Sequence, residues 1–264
     1  MTDSPLPAIK VDGLGKRYHI TARPGSGGLY DTVGRLLGRH RSEHEAAETL
    51  WALRGVSFEV TPGQVVGVLG RNGSGKTTLM KILARVTAPT EGSATVRGQV
   101  GALLQVGIGF HPELSGRDNI LLSGAILGNS RREIEAQQDQ IVEFSEIGRF
   151  LDTPVKFYSS GMFMRLAFSV SAHLTRDVML VDEVLAVGDA AFRRKCEDRI
   201  RALVVEGRTV MLVSHDVESI LQVCDSAMVI HQGSLVFMGS PYEASDFYER
   251  EILELPLERR KSAQ

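Results

Sequence analysis

Cysteine is nearly missing from this chain: Cys196 and Cys224 are the only two, isolated and without metal-ligand spacing. Reduced, structural thiols in a cytosolic protein are the expectation. An excess of positive charge is missing too. Thirty Lys and Arg stand against 32 Asp and Glu, a net of −2, which argues against a nucleic-acid partner. No apolar run approaches the roughly 18–20 residues that cross a bilayer. The first residues, MTDSPLPAIK, have no basic region followed by an apolar core, so no signal peptide is expected. Any work at a membrane would then be done from the cytosol through a partner. Internal repeats and low-complexity segments are absent as well. What is present is apolar content, 43% of 264 residues, enough for one large core or two modest ones.

That content is arranged as short strands alternating with helical segments. Ile9–Val11 and Val56–Val60 read as strands on either side of a long polar interval containing GSGG at Gly25–Gly28. Val65–Leu69 is a continuous apolar run of strand length, followed by a glycine-rich loop and a helix over Leu79–Ala84. Ser93–Val96 and Gln99–Leu104 suggest further strands around Gly98. From Arg117 to about Ile147 the pattern is helical, with Ile134, Ile141, Phe144 and Ile147 able to share a face. Arg165–Leu174 continues as helix, and buried strands return at Val178–Val181, Val210–Val213 and Ala227–Ile230. Apolar strands alternating with helices predict a largely parallel α/β core.

Four motifs stand in order on this frame. Gly70–Thr78 reads GRNGSGKTT, a phosphate-binding loop in its required strand–loop–helix context. Gly70, Gly73 and Gly75, with Asn72 and Ser74 between them, let the backbone wrap phosphates with its N–H groups inward, and the helix N-terminus adds positive potential. Lys76 would reach the β- and γ-phosphates, Thr77 would offer a hydroxyl to Mg²⁺, and Thr78 closes the motif. A chance match in a chain this long is about one in a hundred. Val178–Glu183 reads VMLVDE, an apolar strand ending in two carboxylates. Asp182 is placed to support Mg²⁺ and Glu183 to orient and deprotonate an attacking water. A solvated pair at a strand end is the plainer alternative, made small by the loop upstream. Tyr158–Met162 reads YSSGM just before an apolar helical stretch, and Ser214-His215 follows the strand TVMLV. Taken singly, SSG is an ordinary turn and a lone histidine an ordinary residue.

Together the four resemble the ATP-binding cassette (ABC) family. The resemblance implies a P-loop NTPase (RecA-like) core with an antiparallel β subdomain and an α-helical signature subdomain at about 110–172. The cassette would cover 1–245, with an insertion at about 19–50 and a polar tail at 246–264. His215 then matches the switch histidine that holds the γ-phosphate and Glu183. Gln105 matches the glutamine loop near Mg²⁺ and the water, and Asp189 the aspartate loop. Ser159, Ser160 and Gly161 match the signature that completes a partner's ATP site in a homodimer. YSSGM departs from LSGGQ in its first glycine and its glutamine, and Val184 stands where the aspartate loop usually has proline, which bears on strict symmetry of the two sites. The adenine ring is expected on Tyr18, with Trp51 the alternative.

VGIGFHPELSGRDNI at Val106–Ile120, KFYSSGM and WALRGVSFEV narrow the resemblance to ATPase subunits of polysaccharide exporters, which move lipid-linked O-antigen, teichoic-acid, capsule or galactan chains. That group implies ATP and Mg²⁺ as cofactors, a separate polytopic membrane subunit, a lipid-linked glycan as cargo and a peripheral place on the cytoplasmic face of the inner membrane. Some members add a C-terminal sugar-binding β-domain; the ending LERRKSAQ leads us to expect none. The alternatives are an ABC ATPase of another transport class, a soluble ABC protein of DNA repair or translation, and an ordinary P-loop kinase or GTPase. The last lacks its N-K-x-D element here. Within the insertion, Leu29, Val33, Leu36 and Leu37 gather on one helical face with Arg35, Arg39 and Arg41 nearby. A helix near Leu29–Gly38 would lie at a membrane surface beside the membrane subunit, or else pack on the protein's own sheet.

Overall fold

The computed structural model describes residues 6–20, 48–103, 107, 109–174, 176–182 and 189–256. Its larger sheet grows from the apolar runs: β3 (Val65–Leu69), β6 (Val178–Asp182), β7 (Thr209–Val213) and β8 (Ser226–His231). Their side chains are apolar on both faces, so the sheet must be covered on both. The strand order is β5-β6-β7-β3-β8-β9, with β5 at Val100–Leu103 and β9 at Ser234–Gly239. All neighbours run parallel except β9, which returns antiparallel to β8. A turn at Gln232 and Gly233, both with positive φ (47° and 80°), makes that hairpin.

On one face, Val65, Leu69, Met179, Val181, Val210 and Leu212 pack against Phe168, Phe192 and Ile200. These come from α4 (Ser160–His173) and α5 (Ala190–Val205), while α6 (Val217–Val223) and α7 (Pro241–Phe247) extend the layer. On the other face, Val66, Val68, Leu180, Met211 and Val213 meet Leu79, Met80 and Leu83 of α1 (Lys76–Leu83). Ile9, Leu14, Leu53 and Val56 close the same cluster from a three-stranded antiparallel sheet of order β2-β1-β4. Its strands are β1 (Ile9–Ile20), β2 (Glu48–Val60) and β4 (Glu91–Val96). A third cluster of Ile120, Ile134, Ile141, Ile147, Leu166 and Val170 joins α2 (Gly116–Ile126), α3 (Arg131–Ser145) and α4. The expected α/β core, antiparallel β subdomain and helical subdomain are therefore all present.

Three local readings differ from the structure. The helical stretch after Arg117 is two helices, because Gly128 (φ 83°) ends one turn and Ser130 with Glu133 forms a capping box that starts the next. Phe144 leaves the isoleucine face and stacks 6.1 Å from Phe168, edge-on to Phe192, in the sheet layer. Residues 248–252, read as part of a polar tail, form a π-helical turn that buries Tyr248 and Ile252 in that layer. The insertion helix expected near Leu29–Gly38 lies outside the described residues.

Candidate nucleotide site

Parallel pairing sets β3, β6 and β7 in register, so their carboxyl ends open on one edge of the sheet. Asp182 pairs with Val213, which puts Ser214-His215 immediately beyond the neighbouring strand. The phosphate loop leaves β3 from the same edge, the usual place for ligands in open α/β sheets.

The loop is held tightly by its own chain. A side chain on Gly70 would meet Ile230 O and Ser74 Oγ closer than 3.0 Å. Gly75 has φ 110°, and a Cβ there would lie 2.5 Å from Ala52 O and 2.7 Å from Leu53 Cδ2. The β8–β9 turn clamps the loop: Gly233 N–H donates to Ser74 O at 2.9 Å, and Arg54 N–H donates to Gly233 O at 2.8 Å. Lys76 is buried, its Nζ donating to Gly70 O at 2.6 Å and Arg71 O at 3.1 Å. The ammonium thus stands inside the curl of the loop. Helix α1 has no side-chain cap and no acidic residue in its first turn, so its N–H groups remain directed at the loop.

A cavity of ≈ 700 Å³ opens above, lined by Tyr18, Leu50, Trp51, Ala52, residues 72–78 and Asp182. Thr77 and Asp182 bring two hard oxygen donors into it, a fit to a cation such as Mg²⁺ that takes its remaining ligands from water and phosphate. Both aromatic candidates reach this cavity, in different states. Trp51 lies against Gly15, whose imagined Cβ would be 3.2 Å from its ring, and Arg17 and Arg54 each stand 5.4 Å from that ring. Tyr18 is 38% exposed, with Lys16 Nζ at 5.2 Å from its ring.

His215 is exposed at the strand end. Its neighbours brace the turn: Asp216 N–H donates to Ser214 Oγ at 3.0 Å, and the Asp216 carboxylate accepts from Glu218 N–H at 3.3 Å and Ser219 Oγ at 3.1 Å. Gln105 and Glu183 lie outside the described residues. The signature residues do not line the cavity. Ser159 caps α4, its Oγ accepting from Met162 N–H at 3.2 Å, and Ser160 is exposed. Among the described residues, a Cβ on Gly161 would meet nothing nearer than Ser159 Oγ at 3.9 Å.

Asp189 caps α5 by accepting from Phe192 N–H at 2.9 Å and pairs with Arg165 at 2.8 Å. The Phe192 N–H and then the guanidinium hold its carboxyl below the usual range. Arg165 also pairs with Glu146, which Lys195 and Arg165 together hold low, and lies 4.7 Å from the Phe192 ring. Sequence reading passed over Arg165, Arg54 and Gly233. The last had a local cue, a Gln-Gly pair between two apolar runs; the other two act only through tertiary contacts.

A second cavity, ≈ 530 Å³, lies where β5, β6 and β7 begin. Its cations are engaged: Arg208 with Asp177 at 3.0 Å, Arg199 with Glu206 at 2.6 Å and Arg176 with Leu127 O at 3.0 Å. No glycine loop is among its lining residues.

A family model described as ABC transporter matches residues 53–186. The O-antigen export system ATP-binding protein RfbB of Klebsiella pneumoniae is 42% identical, over 92% of this chain and 98% of its own length. Its namesake in Myxococcus xanthus is 42% identical over 81% of this chain, which spans 49% of that relative. The teichoic acids export ATP-binding protein TagH of Enterococcus faecalis is 41% identical over 72% of this chain, which spans 42% of that relative. Among solved structures, a dimeric ATP-binding cassette in a post-hydrolysis state bound to ADP and Pi superposes with TM-score 0.69 at 19% identity. It covers 88% of this chain and 98% of the other, a likeness of fold.

Proposed function

Because this chain belongs to the ABC transporter family, we propose that it is the ATP-hydrolysing subunit of an exporter that drives a lipid-linked polysaccharide across a bacterial inner membrane. The observation that carries the reading is the meeting of the phosphate loop, Asp182 and Ser214-His215 at adjacent strand ends of one sheet edge. The cargo follows from the relatives' names, which give O-antigen and teichoic acids as what those systems export. No helix among the described residues is long and apolar enough to cross a membrane, so a separate polytopic subunit would form the pathway, with this chain bound at its cytoplasmic face.

In this mechanism the loop N–H groups and the N-terminus of α1 hold the β- and γ-phosphates. Lys76 turns from Gly70 O to the same oxygens, exchanging one acceptor for a charged one. Mg²⁺, held by Thr77 and Asp182, would offset charge on the transferring phosphoryl group. Gln105 orients the attacking water, Glu183 takes its proton, and His215 donates to the γ-phosphate oxygen. Tyr18 stacks on adenine, its ring being the more open of the two candidates. Ser159 and Gly161 complete the ATP site of a second copy, which accounts for a glycine with open space around it. Ser160 lies beside them at the same helix start, and Asp189 borders the segment that carries Glu183.

Mixing Lys76→Ala subunits with Ser159→Arg subunits tests this reading, since each is inactive alone and a heterodimer has one intact composite site. Activity should return on mixing and rise with enzyme concentration. Activity that ignores both Ser159 and enzyme concentration would overturn it. Glu183→Gln should keep ATP binding and lower turnover by a factor on the order of 10²–10⁴.

A further inference from the structure

Asn119 has no role in the nucleotide site, yet its side chain is completely buried and fully used. Its Oδ1 accepts from His111 N–H at 2.6 Å. Its Nδ2 donates to His111 O at 3.1 Å, Leu114 O at 3.0 Å and Ser115 O at 2.9 Å. None of this is needed to start α2, because Ser115 Oγ already caps that helix by accepting from Asp118 N–H at 3.1 Å. An asparagine inside a helix is less favourable than alanine, and burying its amide costs more unless every polar atom is bonded. Here the bonds all go to one turn, His111–Ser115.

That turn is bonded in its own right to the segment leading into the signature. Lys156 N–H donates to Pro112 O at 3.0 Å and Val155 N–H to Leu114 O at 3.0 Å. Gly116 N–H donates to Thr153 O at 3.3 Å and Arg117 N–H to Leu151 O at 3.0 Å. Ser115 and Pro154 form an antiparallel bridge between the two stretches. Two exposed ion pairs flank the ladder, Lys156 with Glu113 at 2.6 Å and Arg117 with Asp152 at 2.8 Å. At its near end Gly116 leaves room for Tyr158 Oη, which a Cβ would meet closer than 3.0 Å; that hydroxyl donates to Phe150 O at 2.8 Å. Tyr158 is the first residue of the signature, one peptide unit from Ser159.

We propose that Asn119 is a positioning residue for catalysis in trans: by holding the His111–Ser115 turn it holds the ladder to 151–156, and the ladder sets where Ser159 Oγ and the Gly161 N–H stand for the partner's ATP. This rests on the proposed composite site. Asn119 touches neither nucleotide nor reacting atoms, so its loss should act on turnover and not on capture of ATP by the phosphate loop.

The heterodimer of Lys76→Ala and Ser159→Arg subunits provides the test, because only one signature and one loop are in use. Asn119→Ala placed in the Lys76→Ala subunit alters the signature that is in use. There kcat should fall about tenfold, with KM for ATP within about twofold of the control heterodimer, a loss that removal of one donor to the reacting phosphate reaches or exceeds. The same change in the Ser159→Arg subunit alters a signature already out of use and should leave kcat at the control value. Equal losses in both placements, or no loss in either, would overturn the proposal. A control heterodimer that is itself inactive would instead overturn the composite site. Should Asn119→Ala fail to fold, the exposed pair carries the same test. Glu113→Lys in the Lys76→Ala subunit should lower kcat, and adding Lys156→Glu should restore it; no loss, or loss without restoration, counts against the ladder.

Discussion

The phosphate-loop corner and the signature corner use the same residue types to opposite ends. Both have glycine and serine before a helix, yet in the loop Gly70, Gly75 and Lys76 are held by other parts of the chain. Gly75 faces Ala52 O and Leu53, Gly70 faces Ile230 O, and Lys76 is bonded to two carbonyls. At the signature, a Cβ on Gly161 would have open space among the described residues, and Ser159 is exposed, its Oγ capping its own helix. The loop corner is packed against its own molecule, and the signature helix start is exposed.

The largest effect should come from the loop. Lys76→Ala removes the one ammonium inside the curl, and turnover should drop by a factor on the order of 10³, in line with loss of a donor to the reacting phosphate. Retention of both tight binding of a fluorescent ATP analogue and hydrolysis would break the comparison at its strongest point.

A pair of alanines sharpens it further. Gly75→Ala forces a left-handed residue against Ala52 O and should destabilise the isolated subunit by about 1–2 kcal/mol or more, read as a lower melting midpoint. Gly161→Ala meets no atom closer than 3.9 Å and should leave the midpoint within about 0.5 kcal/mol of the parent, while turnover at the composite site falls. A matching loss of stability at Gly161 would show that the two corners do not differ in kind.

Smaller effects separate the aromatics. Tyr18→Ala should raise KM for ATP by about tenfold, the worth of one good ring contact at about 1–1.5 kcal/mol, with little change in stability. Trp51→Ala should do the reverse, because its ring is held by Gly15, Arg17 and Arg54. If the KM change belongs to Trp51, the adenine partner is reassigned.

The smallest effect concerns the Arg165 junction behind the signature helix. Glu146 and Asp189 have carboxyls held below their ordinary values of 4.5 and 3.8. A depressed carboxyl contributes stability above its unfolded value, and that contribution is lost as pH falls through the lower folded value. Melting midpoints should be flat near neutrality and decline below about pH 4.5, with a shallower decline in Arg165→Met. An identical decline in that variant would remove Arg165 from the account.

Much of this was legible in residues alone, for reasons that differ by element. β3, β6, β7 and β8 could be read because a strand covered on both faces is a continuous apolar run. The glycine loop could be read because its glycines and lysine stand at fixed spacing between a strand and a helix. The break between α2 and α3 was written as Gly128 and the Ser130–Glu133 capping box, a local cue lost inside a long helical average. Tyr248 and Ile252 were hidden for the opposite reason, two apolar residues in a charged stretch that only a π-helical turn brings onto the sheet layer.

By itself the sequence determined the apolar strands of the larger sheet, the glycine loop between strand and helix and the carboxylates at a later strand end, because each is set by short-range spacing. Tertiary structure alone decided that Gly233 and Arg54 clamp the loop, that Arg165 joins Glu146 to Asp189, and that Asn119 holds the turn at His111–Ser115. Those contacts join residues distant along the chain or depend on how a helix meets a turn. A hydrogen bond or ion pair of that kind exists only once packing has brought the two backbones within reach.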